Sequence, residues 1–402
     1  MRNLLFIPGP VAVPEPVLAA TAQPMINHRG PQFAELLKRL EERLRPVFGT
    51  TSDVVLLGGS GTSGLEAAIV SAFSPGDTVL SCPIGVFGRR FGHIASTYGI
   101  DVHVLDTPLG AAQDPAALAA HLRRGGPGRY KGILLTQNET STGTQNDMEA
   151  LARAIGDYPA LVLVDAISGL GASEFCMDAW GFDIVIAASQ KALAAPPGLA
   201  MVAVSPRAWE HVERATAPRF YLDLARARRL AKTGETPWTP PVSIAFALDV
   251  ALDLYHETGA QVTWRRHARY ARAIQAAMAA MDVELLSRPG AHSNTVVAMR
   301  VPQPVDGAAL LRTMRQQHGV VLGGGQEELK GKIWRMGTMG DISEVDLVGA
   351  IAAFERALQS GGWNVDMGSG TLAAQRALAG REDVPPNGTL GVPQATPAMP
   401  HR

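Results

Sequence analysis

A chain of 402 residues with 46% hydrophobic and 18% charged residues has apolar material for a large core, spread over about two to three domain-sized units. Its formal net charge is −1, and lysine and arginine are scattered rather than clustered, which argues against a nucleic-acid partner. Two cysteines, Cys82 and Cys176, are too few and too far apart for a disulfide framework or a thiolate zinc site, so no metal is expected and the cytoplasm is the expected compartment.

The opening "MRNLLFIPGPVAVPEP" carries one positive residue and a short apolar run, Leu4–Ile7, before Pro8. A secretion signal needs roughly 7 to 15 apolar residues there, and a membrane span roughly 18 without a break, which no segment approaches. No membrane partner is expected. From Val54 to Val204 the chain alternates "VVLL", "TVLSC", "DVHVL", "GILLT", "LVLVD", "DIVIAAS" and "MVAV" with helical patterns at Gly64–Ala72, Gly88–Tyr98, Pro115–Arg124 and Asp147–Ile155. Near-continuous apolar strands separated by helices predict an α/β fold, a mostly parallel sheet covered on both faces.

Pro241–Met281 reads as helices joined near Glu257–Gly259. Beyond Met281 the order changes to "VELLS", "SNTVVAMRV", a helix at Gly307–Gln317, "KIWRMG" and a helix at Ser343–Gln359. This predicts a smaller α+β domain completed by the N-terminal segment. The expected division is residues 16–258 as the large domain, 1–15 with 259–360 as the small one, and 361–402 as a largely disordered tail holding at most a short helix at Thr371–Ala379.

The stretch "VVLLGGSGTSGLEAA" places Gly59, Gly61 and Gly64 between a strand and a helix, where backbone N–H groups can receive a phosphate. A dinucleotide site wants an acid about 20 residues on, at the end of the next strand. The nearest acid, Asp77, precedes that strand. A phosphomonoester needs no acid, and Ser60 and Thr62 add hydroxyls. On this stretch alone a turn kept only for its geometry is also open.

Two later strands end in titratable groups, "LVLVDAISGLG" in Asp165 and "DIVIAASQKALAAPPG" in Ser189, Gln190 and Lys191. Ligands of open α/β sheets sit beyond the carboxyl ends of the strands, so both side chains face the crevice of the Gly61 loop. An acid after a strand is often a helix cap, and a loop lysine is usually solvated. Together, however, a phosphate loop, an acid and a lysine match the needs of pyridoxal phosphate (PLP). Its aldehyde takes a lysine amine, and its pyridine nitrogen is held protonated by a carboxylate.

From Phe6 to about Leu358 the chain resembles the class V, fold-type I PLP-dependent aminotransferases, and is most similar to the alanine–glyoxylate and serine–glyoxylate (serine–pyruvate) group. The motifs are "IPGPVAVPEPVL", "GGSGTSGLEAA", "GVFG", "NETSTG", "VDAISGLG", "SQKALAAPPG", "TPWTPPVS" and "KIWRMGTMG". The resemblance implies a seven-stranded large domain, Lys191 as the Schiff-base lysine and Asp165 as the pyridinium partner. Phe87 takes the ring-stacking position, where many relatives carry Trp. Ser60, Gly61, Thr62 and Gln190 would hold the phosphate, although some relatives have His in place of Thr62. Thr140 would bond the ring hydroxyl, with Asn138 the second candidate. Thr239 would reach the phosphate of a neighbouring subunit in a homodimer, its plainer reading being a helix N-cap.

Arg335 corresponds to the arginine that clamps a substrate α-carboxylate, and Gly9 would line the same pocket. An independent reason favours Arg335, since a planar guanidinium pairs a carboxylate bidentately. The expected activity is ping-pong transamination between a small amino acid, alanine or serine, and a small 2-oxo acid, glyoxylate or pyruvate. Class V enzymes with aspartate, ureidoglycine or aminoethylphosphonate as donor share most of these motifs. A lyase or desulfurase would want a nucleophilic cysteine late in the chain, and none follows Cys176.

Overall fold

A computed structural model describes residues 3–380 of the chain. All seven apolar runs between Val54 and Val204 join one sheet. Its order is Asp53–Gly59, Gly198–Val204, Ile184–Ala188, Leu161–Asp165, Gly132–Thr136, Thr78–Ser81 and Asp101–Val104. Only Gly198–Val204 runs antiparallel to its neighbours.

The unbroken apolar character of these strands has a simple cause. Successive side chains point to opposite faces, and here both faces are covered. Val162 and Val164 enter one core with helices Pro31–Phe48 and Val242–Thr258. Their neighbours Leu161 and Leu163 enter a second core with helix Gly61–Ala72.

A second sheet, of four strands, has the order Leu4–Phe6, Val320–Gly324, Ile333–Gly337 and Val296–Arg300. Its core is a third cluster built around Trp334, Met336, Ile274 and Phe354. Leu4–Phe6 lies parallel to Val320–Gly324, so the first residues of the chain are stitched beside a segment more than three hundred residues on. The expected strand in "VELLS" is reduced to one isolated bridge, Leu285 to Met299.

In the stretch from 361, expected to be largely disordered apart from a short helix at Thr371–Ala379, that helix is present at Ser369–Leu378. Helix Ser369–Leu378 packs against Ala260–Ala280, burying Ala374, Ala377 and Leu378, and its first turn gives the N–H groups of Gly370 and Thr371 to buried Glu355. An apolar stripe at helical spacing outweighs the polar composition there. Arg381–Arg402, expected to be disordered, lies outside the described residues. Among the described residues no helix is long and apolar enough to cross a membrane.

Candidate active site

Asp165 is the last residue of the strand Leu161–Asp165 and is buried, and one of its oxygens accepts the Ile167 N–H at 3.0 Å. Its pKa is pushed up to about 7, chiefly by burial and further by the Glu139 carboxylate. The Ile167 N–H, Lys191 and Arg90 act in the other direction. Here is an acid enclosed without the full positive charge its ionised form needs.

Lys191 follows the strand Ile184–Ala188 and donates from Nζ to the Pro8 carbonyl at 2.8 Å. Burial lowers its pKa to about 8, against the attraction of Asp165 and with a further lowering from Arg335. Gly9, at φ +132°, faces this amine, and a Cβ there would lie 2.6 Å from Nζ. The N-terminal segment therefore forms a wall of the lysine's seat, and only glycine fits it.

The glycine-rich turn opens the helix Gly61–Ala72. Ser60 is its N-cap residue, exposed, with no side-chain bond to the helix, so hydroxyl and free N–H groups stand at one mouth. A Cβ on Gly61 would lie 2.5 Å from Ile167 Cδ1, which ties this turn to the loop after Asp165. Gly64 packs on the sheet, where a Cβ would lie 2.7 Å from Ile186 Cγ2. Thr62 is half-buried in the first turn, and Gln190 beside Lys191 has a buried side-chain oxygen with no partner.

Phe87 lies in the first turn of helix Val86–Thr97, with the Arg90 guanidinium 4.7 Å from its ring centroid. The N–H groups of Phe87 and Gly88 end on Glu139 Oε2, at 3.0 and 3.1 Å. Thr140 is buried and donates to Ser168 Oγ at 3.0 Å, while Asn138 donates to Ser168 and Thr295 and keeps a buried oxygen without a partner.

Arg335 lies in the strand Ile333–Gly337, with neighbours Trp334 and Met336 fully buried in the small core. Strand alternation turns the arginine the other way. Nε donates to the Gly324 carbonyl at 2.8 Å and Nη1 to that of Thr140 at 3.0 Å, the latter crossing to the large sheet's side of the site. Burial lowers the guanidinium's pKa, with Glu139 opposing.

Lys191, Asp165, Gly9, Gly61, Thr140 and Arg335 are thus linked by contacts or mutual charge. Thr239 is not among them. It is exposed, beside Trp238 and near Gly58, and does not cap the helix that follows, Val242–Thr258, which has Pro241 at its cap. Pro8, Glu139, Ser141 and Ser168 escaped sequence reasoning. For three of them the one signal was position, inside "NETSTG" and "VDAISGLG" directly after apolar strands.

The class-V aminotransferase profile matches residues 15–332. The chain is 37% identical over 380 residues, 94% of it and 99% of its relative, to the soluble hydrogenase small subunit of Synechococcus sp. (strain PCC 6716). It is 35% identical over 382 residues, 94% of it and 95% of the relative, to serine–glyoxylate aminotransferase of Arabidopsis thaliana. The crystal structure of pyridoxamine–pyruvate aminotransferase from Mesorhizobium loti superposes with a TM-score of 0.90 at 30% identity, over 95% of this chain and 98% of that one. With these similarities and a lysine, an acid and a glycine-rich turn at the carboxyl ends of its large sheet, the chain belongs to the class-V aminotransferases, PLP-dependent transaminases of fold-type I.

Proposed function

We propose that this transaminase moves an amino group from alanine or serine to glyoxylate or pyruvate, with Lys191 as its acid–base residue. The observation that carries the reading is the enclosure of the Lys191 amine between Pro8, Gly9 and the field of Asp165, at the end of a buried strand. Bound PLP supplies an aldehyde for an incoming amine and a protonated ring that withdraws the electron pair left by a departing Cα proton.

Asp165 is the residue to hold the pyridine N–H, because its enclosed carboxyl needs a cation to stay ionised at neutral pH. Lys191 Nζ, with a pKa of about 8, would take the proton from substrate Cα and hold it for return. The Pro8 carbonyl keeps the amine in the crevice in the meantime. Ser60, Gly61, Thr62 and Gln190 would hold the phosphate, Phe87 would stack on the ring, and Thr140, with Asn138 as the second candidate, would meet the ring hydroxyl. Arg335 uses two of its N–H groups on backbone carbonyls, which orients the rest of the fork toward a substrate carboxylate. Gly9 would line the same pocket, where any side chain would meet the Lys191 amine.

The working unit in this reading is a homodimer, with Thr239 reaching the partner's phosphate site. Support comes from the exposed surface around Thr239, where Phe220 and Tyr221 stand out of the fold against Trp238. The reducing compartment implied by two unpaired cysteines supports a cytoplasmic enzyme. Desulfurase chemistry is disfavoured because burial pushes the Cys82 thiol up to about 12 and raises that of Cys176 as well, the reverse of an activated nucleophile.

The test is a panel of amino donors in single half-reactions, read by the loss of the visible cofactor absorbance. Alanine and serine should react fastest. A donor without an α-carboxylate that outpaces both would overturn the reading.

A further inference from the structure

The residue with the most to do in this site is one to which none of the roles above has been given. Glu139 is fully buried on the short strand Asn138–Glu139. Its Oε2 accepts the N–H groups of Phe87 and Gly88, and its Oε1 accepts both the N–H of Ser141, at 3.0 Å, and the Ser141 hydroxyl, at 2.6 Å. The Ser141 oxygen accepts in turn the Val86 N–H at 3.0 Å. Together the Glu139 carboxylate and Ser141 cap the helix that carries Phe87, taking three N–H groups of its first turn. They also fix the peptide between Glu139 and Ser141, whose middle carbonyl, that of Thr140, receives Arg335 Nη1. Gly85 is shaped to the same purpose, since a Cβ there would lie 2.4 Å from Glu139 Cγ.

We propose that Glu139 is a positioning residue for the transamination, setting the ring-stacking Phe87 and the carboxylate clamp Arg335 from one buried carboxylate. Cofactor binding and substrate-acid binding are coupled through it. The inference rests on the roles given above to Phe87 and Arg335. Glutamine does not replace glutamate here. Four donors converge on two oxygens, and an amide turns one of those oxygens into a donor, leaving either the helix N–H groups or the Ser141 N–H without an acceptor.

The experiment compares Glu139→Gln, Gly85→Ala and Arg335→Ala with wild type. It measures the dissociation constant of PLP from the refilled apoprotein, the KM for donor and acceptor at saturating PLP, and the melting temperature. Gly85→Ala displaces the carboxylate while keeping its charge, and its extended φ suits any residue, so it carries the test if Glu139→Gln does not accumulate folded. Glu139→Gln and Gly85→Ala should each raise the PLP dissociation constant about tenfold and both KM values about three- to tenfold. Arg335→Ala should raise only the KM values. A lowered melting temperature with PLP binding and KM unchanged makes Glu139 merely structural and overturns the inference. So does a change in only one of the two binding constants. If Arg335→Ala itself leaves KM unchanged, the clamp reading fails, and that outcome is separate from any result at Glu139.

Discussion

At the scale of single residues, Lys191 and Asp165 were legible because Asp165 ends one unbroken apolar strand and Lys191 lies just beyond another, which puts both at the carboxyl ends of the sheet. Glu139 and Ser168 were not, since nothing local shows that their polar atoms would be met by donors from elements far along the chain. Replacing Lys191 with Ala should abolish activity and the visible absorbance of the loaded enzyme while the fold survives. Near wild-type turnover would mean that another lysine serves. The clamp has a magnitude attached: losing a charge-assisted pair costs about 1.5 to 3 kcal/mol, roughly 10 to 150-fold in the KM of both donor and acceptor. Arg335→Lys should recover little, because an ammonium lacks the fork; full recovery would show that charge alone suffices. Asp165 also sets a pH dependence in the cofactor-free protein. Its carboxyl holds a proton up to about pH 7, whereas the unfolded chain loses its own near 3.8. The folded state therefore loses stability from this group as pH rises between those values, and not above them. Asp165→Asn should remove that decline from urea midpoints measured from pH 4 to 8, and an unchanged profile would remove Asp165 as its source.

Elements were legible in proportion to their periodicity. Seven apolar runs became seven strands, and the helix Pro115–Gly125 fell within a residue of expectation because proline and glycine mark both ends, whereas the helices expected from Gly64 and Gly88 begin earlier, at Gly61 and Val86. Val320–Gly324 had no such pattern: "VVLGG" is too short and glycine-rich to read as a strand, and its pairing comes from Leu4–Phe6 on one edge and Ile333–Gly337 on the other. The helix Gly61–Ala72 has a weak amphipathic signal for the opposite reason, being buried nearly all round. Its closeness to the sheet depends on Gly64. Gly64→Ala would press a methyl group onto Ile186 and Ala200, and overpacking of that kind costs about 1 to 3 kcal/mol. Chemical denaturation should show the loss, together with weaker PLP retention as the turn carrying Ser60 moves outward. A variant as stable as wild type would mean that the helix has room to spare.

The whole molecule sets the carboxyl ends of the large sheet's strands against the small sheet that carries Arg335, and its oligomeric state is the part least visible in one sequence. Thr239→Ala should weaken PLP retention without abolishing turnover at saturating cofactor. A fully active monomer by light scattering would sink the shared site. The contact between Pro8, Gly9 and Lys191 has a further consequence, in time rather than space. During synthesis the amine's seat stays open until Leu4–Phe6 has found its edge, and that edge, Val320–Gly324, leaves the ribosome only after most of the chain. The clamp in Ile333–Gly337 comes later still. On these roles cofactor capture is expected to be a late event, following translation instead of guiding it. Nascent chains arrested before residue 320 should carry a finished large sheet and yet release PLP on dilution, and only those extended past Gly337 should keep it.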